Sequence, residues 1–411
     1  MRELIANPHR GGGLGTIPGL PDVPVSTDIE AARALFAKCP AADRTPLQAM
    51  PALAAEAGVG RIDLKDERNR MGLGSFKALG AAYAIAKMAM ARASGDAAAA
   101  KNALHDVTFV CASAGNHGLS VAAGARLFGA KAVIYLAETV PAGFAARLEG
   151  KGATVMRAGT DYDASMAAAL TAAEANGWFL LSDSSWEGYS APARDVMEGY
   201  LIMAGEVADA IDQPPTHVFL QAGVGGLAAA CTAAARVLWG DAPVITIVEP
   251  DRAPALLESI RVGRPVHASG PDSNMGRLDC KEPSHLALAC LARDADFFMT
   301  ISDDEADAAV ATLAGLVLGI AGLTLLIGPD LIVVRTAPLG AILMLGAAMS
   351  WALGTVLFKR GQWSTPVAVT TGWLLLIGAV PITAGAMLLE PFPDVADFRA
   401  ETWLAIAYVF L

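Results

Sequence analysis

The chain has 411 residues, 54% of them hydrophobic and 17% charged, with a formal net charge of -11. Soluble chains carry about 25% charged residues, and a chain this apolar is neither disordered nor collagen-like. The acidic balance excludes nucleic acid as a partner.

From residue 58 onward short β-rich runs alternate with alanine-rich helical stretches. Residues 61–65 predict a strand and 75–90 a helix. Residues 107–111 predict a strand, followed by a glycine turn and a helix through Ala125. Strands are expected at 131–136, 153–157, 216–221 and 242–249, with helices over 142–149 and up to Leu238. Strands separated by helices of this length indicate βαβ units. The fold class is α/β with parallel sheets.

The charges are not evenly spread. Residues 1–307 hold 62 charged residues, whereas 308–411 hold nine and no His or Cys. Uncharged runs cover 308–329, 336–358 and 361–389, and spans of about 20 apolar residues cross a bilayer. The expectation is about three transmembrane helices, with the lipid bilayer as a partner. Lys359 and Arg360 between the second and third spans favour the cytoplasmic side, which places the preceding soluble part in the cytoplasm. The N-terminus has no apolar core of signal-peptide length. Five scattered cysteines suit a reducing compartment.

Three motifs carry chemistry. Lys77, in Gly74-Ser75-Phe76-Lys77, stands at a helix entrance, where the helix dipole opposes its charge. Burial there would lower its pKa, as Schiff-base chemistry requires, although a surface lysine also fits the residue alone. Ser113-Ala114-Gly115-Asn116-His117-Gly118 lies between a strand and a helix and offers N–H groups to a carboxylate. His117 could be a base or a locally packed ring. Gly223-Val224-Gly225-Gly226-Leu227-Ala228 follows a strand, and its backbone can wrap a phosphate. The same segment fits the dinucleotide pattern G-x-G-x-x-A, with Glu249 as the ribose-binding acid. Cys280, His285 and Cys290 admit a metal reading, but they lack a fourth ligand, and buried or helix-surface thiols suit them better. No metal is expected. Cys111 is expected in the core, and the alanine runs at 97–100 and 167–173 on helix surfaces.

Together the three motifs resemble the fold-type II (tryptophan synthase β-like) pyridoxal-phosphate enzymes of the serine/threonine dehydratase-like family. Within it, LKDERNRMGLGSFKALG (64–80), SDSSWEGY (182–189), THVFLQAGVGGL (216–227) and MGRLDCKEPS (275–284) resemble the 2,3-diaminopropionate ammonia-lyases. The resemblance covers residues 1–312. It implies pyridoxal 5'-phosphate (PLP) as cofactor and a small amino acid as substrate, with α,β-elimination of ammonia to leave pyruvate. A serine/threonine dehydratase-like lyase is the alternative, and a homodimer is admitted. Lys77 would carry PLP and shuttle protons. Asn116 would contact the pyridoxal hydroxyl, and Ser113, Gly115 and His117 would frame the substrate carboxylate. Gly223, Val224, Gly225, Gly226 and Leu227 would bind the phosphate. Asp183 would face the substrate and is the candidate acid/base or amino-group ligand, with an Asx turn or helix cap as its other reading. Ala114 stands where the ammonia-lyases carry an aspartate that acts on the D-isomer, and this favours a plainer dehydratase-like specificity.

The family's C-terminal segment has no counterpart. Residues 313–411 instead resemble part of an EamA-type drug/metabolite transporter. The expected organisation is a lyase-like domain over 1–312 and a partial transporter-like membrane region over 313–411. The expectation is a membrane-anchored protein with its enzyme domain cytoplasmic, or an inactive enzyme–transporter fusion.

Overall fold

The computed structural model describes residues 3–15, 17, 20 and 25–310. The chain divides into two compact units, Met1–Ala314 and Gly315–Leu411. The transporter-like region and nearly all of its expected spans lie outside the described residues. Among the described residues no helix is long and apolar enough to cross a membrane.

Strand β1 (Leu4–Ala6) and helix α1 (Ile29–Phe36) come first. The antiparallel pair β2 (Leu47–Ala49) and β3 (Asp63–Lys65) flanks helix α2 (Pro51–Ala57). Next come α3 (Lys77–Arg92) and the single turn α4 (Ala97–Ala100). A βα series follows: β4 (Thr108–Ala112), α5 (Asn116–Leu127), β5 (Lys131–Leu136) and α6 (Ala142–Glu149). It continues through β6 (Thr154–Arg157), α7 (Tyr162–Asn176), β7 (Phe179–Leu180) and the long α8 (Ala191–Ala210). The second series is β8 (His217–Gln221), α9 (Gly226–Trp239), β9 (Val244–Pro250), α10 (Ala255–Val262), α11 (His285–Asp294) and β10 (Phe297–Ile301).

The parallel series predicted from the sequence is present, but it is divided between two sheets. One has the order β6-β5-β4-β7 and is parallel throughout. The other, β1-β10-β9-β8, is parallel except where β1 runs against β10. Strand β4 is buried on both faces, at Phe109, Val110 and Cys111, because helices cover both sides of a parallel sheet. Cys111 is therefore a core residue, as expected. The alanine runs follow expectation in part: Ala97, Ala98, Ala99 and Ala167 are exposed, whereas Ala100, Ala169 and Ala173 are buried. Alanine's small side chain lets these helices press closely on the sheet and its neighbours.

Helix α3 carries Lys77, and two tight crossings hold it. A Cβ on Gly199 of α8 would lie 2.2 Å from the Leu79 carbonyl oxygen, and one on Gly80 would meet the Tyr200 hydroxyl at 2.7 Å. The Gly199 clash is with backbone, so no rotamer change relieves it. Gly199→Ala is therefore expected to destabilise the fold by about 1–3 kcal/mol, read as a lower urea midpoint. Because α8 bears on α3 beside Lys77, cofactor affinity should fall in parallel.

Candidate active site

Strands β4 and β7 are hydrogen-bonded neighbours, with Phe109 opposite Phe179 and Val110 opposite Leu180. Their carboxyl ends thus deliver Ser113–Gly118 and Asp183 to one edge. Sites in open α/β sheets form at such carboxyl ends. The glycine segment Gly223–Leu227 leaves the carboxyl end of β8 in the other sheet and opens α9.

Lys77 Nζ donates to Asp183 Oδ2 at 2.6 Å. The Lys77 side chain is 28% exposed and that of Asp183 16%, so the pair can be reached from solvent. Burial opposes both charges, yet the ion pair prevails. It holds Lys77 above the ordinary lysine pKa and, helped by His117, holds the Asp183 carboxyl well below the usual range. This corrects the expectation of a depressed lysine. A carboxylate 106 positions away in sequence outweighs burial and the helix dipole.

His117 is 3% exposed, and its Nε2 lies 2.8 Å from the Leu181 carbonyl oxygen. A carbonyl only accepts, so Nε2 carries the proton. Nδ1 has no hydrogen-bond partner and sits 4.0 Å from Asp183 Oδ2. Ser113 Oγ accepts from the N–H groups of Gly115 at 3.3 Å and Gly118 at 3.2 Å, and so folds its own loop. Among the described residues the N–H groups of Asn116 and His117, in the first turn of α5, have no acceptor.

Gly225 precedes α9 with φ of +96°, a left-handed conformation that side chains disfavour. A Cβ on Gly223 would lie 2.9 Å from Cys280 Sγ, and one on Gly226 would lie 3.7 Å from the Asp183 carbonyl oxygen. The glycine cradle thus abuts the Lys77–Asp183 pair. Of the sequence-predicted residues, Lys77, Asp183 and His117 meet directly, Gly226 lies beside the Asp183 backbone, and Gly115 and Gly223 both border Arg277.

The dinucleotide reading fails. Glu249 is 1% exposed, and its carboxylate accepts the N–H groups of Leu256 and Leu257, each at 2.8 Å. It caps α10 and is closed to any ribose. Burial pushes its pKa up to about 8 against those two donors. Cys280 packs on Gly223, whereas the buried Cys290 packs on α9 with its thiol directed at the Ala229 carbonyl. The two thiols therefore serve different contacts rather than one metal. Among the described residues no group of three His, Cys, Asp or Glu is placed to hold a metal ion.

Sequence reasoning missed the anchor of the loop before Lys77. Arg70 is fully buried and donates to Glu206 at 2.9 and 2.6 Å and to Glu67 at 2.8 Å, while Lys65 reaches Glu206 at 2.7 Å. This network ties residues 65–70 to α8. Its only signal in the sequence was the run of mixed charges, Lys-Asp-Glu-Arg-Asn-Arg.

A family model described as pyridoxal-phosphate dependent enzyme matches residues 39–334. The chain belongs to the pyridoxal-phosphate dependent enzymes. The matched region of this pyridoxal-phosphate dependent enzyme runs past residue 312 and over the first of the expected membrane spans. The chain is 33% identical over 273 residues to diaminopropionate ammonia-lyase of Escherichia coli (strain K12), covering 64% of this chain and 69% of that protein. It is 30% identical over 267 residues to the serine dehydratase-like protein of Mus musculus, covering 65% and 74%. The crystal structure of the Escherichia coli ammonia lyase with an aminoacrylate–PLP azomethine intermediate superposes with a TM-score of 0.65 at 29% identity, covering 74% of this chain and 77% of that one.

The residues present fit the family's cofactor. Lys77 offers an amine, Gly223 and Gly225 are positions where a Cβ would crowd its neighbours, and a buried imidazole with a free nitrogen stands beside the lysine's carboxylate partner.

Proposed function

We propose that this chain is a PLP-dependent ammonia-lyase that eliminates ammonia from 2,3-diaminopropionate and leaves pyruvate, with residues 1–312 as its catalytic unit. The observation that carries this reading is the meeting of Lys77, Asp183 and His117 between two anion-binding loops. Lys77 would hold the cofactor through its amine, Gly223–Leu227 its phosphate and Asn116 its ring hydroxyl. When bound, the cofactor supplies an electron sink for the bond pair released at the substrate Cα.

The protein's own groups position substrate and move protons. The first-turn N–H groups of α5 receive the substrate carboxylate and fix the Cα–H beside Lys77. Lys77 Nζ exchanges the Cα proton, and Asp183, its 2.6 Å partner, orients the amine and stabilises it when charged. The proton that Lys77 Nζ then carries, held beside Asp183 Oδ2, is the one available to the departing β-amino group. His117 Nδ1, 4.0 Å from Asp183 Oδ2, borders the same carboxylate.

A plainer serine dehydratase-like activity is the second reading. It is favoured by Ala114, whose side chain cannot titrate, at the loop position where an acid would serve the D-isomer. The test is to load purified protein with PLP and supply L- and D-2,3-diaminopropionate and L-serine separately. The proposal expects pyruvate from the L-diamine with two ammonia per pyruvate, and slower turnover of the D-isomer. Turnover of L-serine alone, with one ammonia per pyruvate, would replace it with the second reading.

Membrane attachment through 313–411 rests on composition alone. The first expected span, 308–329, falls inside the 39–334 family match, which supports reading it with the enzyme.

A further inference from the structure

Between α10 and α11 the chain crosses the cleft, and at Arg277 it touches both anion-binding loops. The Arg277 carbonyl oxygen lies 3.5 Å from where a Cβ would stand on Gly223, in the phosphate cradle. Its guanidinium Nη1 lies 3.0 Å from the Cβ position of Gly115. Gly115 has no side chain, so the guanidinium rests directly on the loop that opens α5.

Arg277 is solvent-exposed, and it stands where positive charge already gathers. The start of α5 carries the positive end of the helix dipole and two N–H groups without acceptors. The nearby Lys77 is also cationic, and the charge of Arg277 acts against its protonation. Among the described residues Arg277 has no ion pair or hydrogen bond, while Asp183 is engaged by Lys77 and Asp279 by Lys281. A free guanidinium, a helix N-terminus and unsatisfied N–H groups gathered at one point call for an anion between them.

We propose that Arg277 is a substrate-binding, specificity-determining residue that closes on the α-carboxylate of the amino-acid substrate from the side opposite the α5 N–H groups. This rests on the reading of the cleft as an amino-acid lyase site. The cofactor phosphate is the other candidate anion. The guanidinium lies against Gly115 of the α5 loop, whereas the Arg277 atom found beside Gly223 is its carbonyl oxygen. A planar fork that can grip both carboxylate oxygens adds geometry as well as charge. The contact thus selects free amino acids over neutral derivatives such as amides.

The test uses holoenzyme, with wild type compared to Arg277→Ala and Arg277→Lys. Each is titrated with L-serine and L-serinamide by following cofactor absorbance, and kcat and KM are measured for any substrate turned over. Arg277→Ala is expected to weaken L-serine binding and raise KM by about ten- to a hundredfold, the usual worth of a hydrogen bond to a charged group. Serinamide binding should stay within about twofold, and kcat should change much less than KM. Arg277→Lys should restore part of the loss. Unchanged L-serine binding, or an equal loss for serinamide, would overturn the proposal. So would weakened PLP affinity with normal L-serine binding, which would assign Arg277 to the phosphate. If the wild type fails to turn over diaminopropionate, the proposed activity falls, but the L-serine and serinamide titrations still read Arg277.

Discussion

Lys77→Ala is expected to abolish both the absorbance of lysine-bound PLP and pyruvate formation, with turnover down at least about 1,000-fold. Among the described residues Lys77 is the amine placed to hold the cofactor covalently, and it sits 2.6 Å from a carboxylate that orients it. The substitution also leaves Asp183 charged and without its partner in a mostly buried position. Breaking such a pair costs about 3–5 kcal/mol where burial is complete, and somewhat less here because the pair is partly exposed. A folding defect could therefore mimic a chemical one. Lys77→Arg separates them, since it keeps the charge beside Asp183 but offers no Schiff-base amine. It should unfold near the wild-type urea midpoint and still lack the absorbance and the activity. Substantial pyruvate formation by either variant would remove Lys77 from the centre of the mechanism.

Asp183→Asn is expected to lower kcat by about 100- to 10,000-fold, the span associated with a positioned acid/base, and to change how stability depends on pH. In the cofactor-free protein Asp183 has a depressed folded pKa. It therefore contributes stability above the ordinary carboxylate value of about 3.9, and that contribution is lost as pH falls through the lower folded value. Lys77 has a raised folded pKa. Its contribution is complete below the ordinary value of about 10.4 and is lost as pH rises through the folded value. The pair thus stabilises most between those limits. The asparagine variant removes the Asp183 limb outright. It also inverts the Lys77 limb, because burial alone then lowers the lysine. Urea unfolding of the apo protein at pH 3, 7 and 10.5 reads this directly. A wild-type advantage that is the same at all three pH values would show that the two groups do not titrate as a pair.

Much of the site was legible in the sequence because its parts are local. A glycine run after a strand builds its own cradle from backbone geometry. The Ser113 loop closes on itself through the Ser113 hydroxyl. Lys77 sits at the first position of its helix. Each of these depends on neighbours a few positions away, and sequence spacing reports such neighbours. Arg277 was not legible. Its run was visible as a resemblance, but nothing local indicates that its guanidinium rests on a loop 162 positions earlier. Glu249 was misread for a similar reason. Its place at a strand end suits a ribose ligand, and only the return of α10 shows that its carboxylate is used as a cap.

The sequence by itself determined the α/β class, the strands from β3 to β9 apart from the two-residue β7, and the residues with chemistry to offer. These follow from hydrophobic period, turn residues and side-chain type. Tertiary structure decided the division into two sheets, the placement of the short strand β7 beside β4, and with it the arrival of Asp183 at Lys77. It also decided the sign of the lysine's pKa shift. The physical reason is range. Periodicity and propensity act over a few residues, whereas strand pairing and ion pairing join segments more than 60 positions apart, and the energy of a buried charge depends on the partner that the fold brings to it.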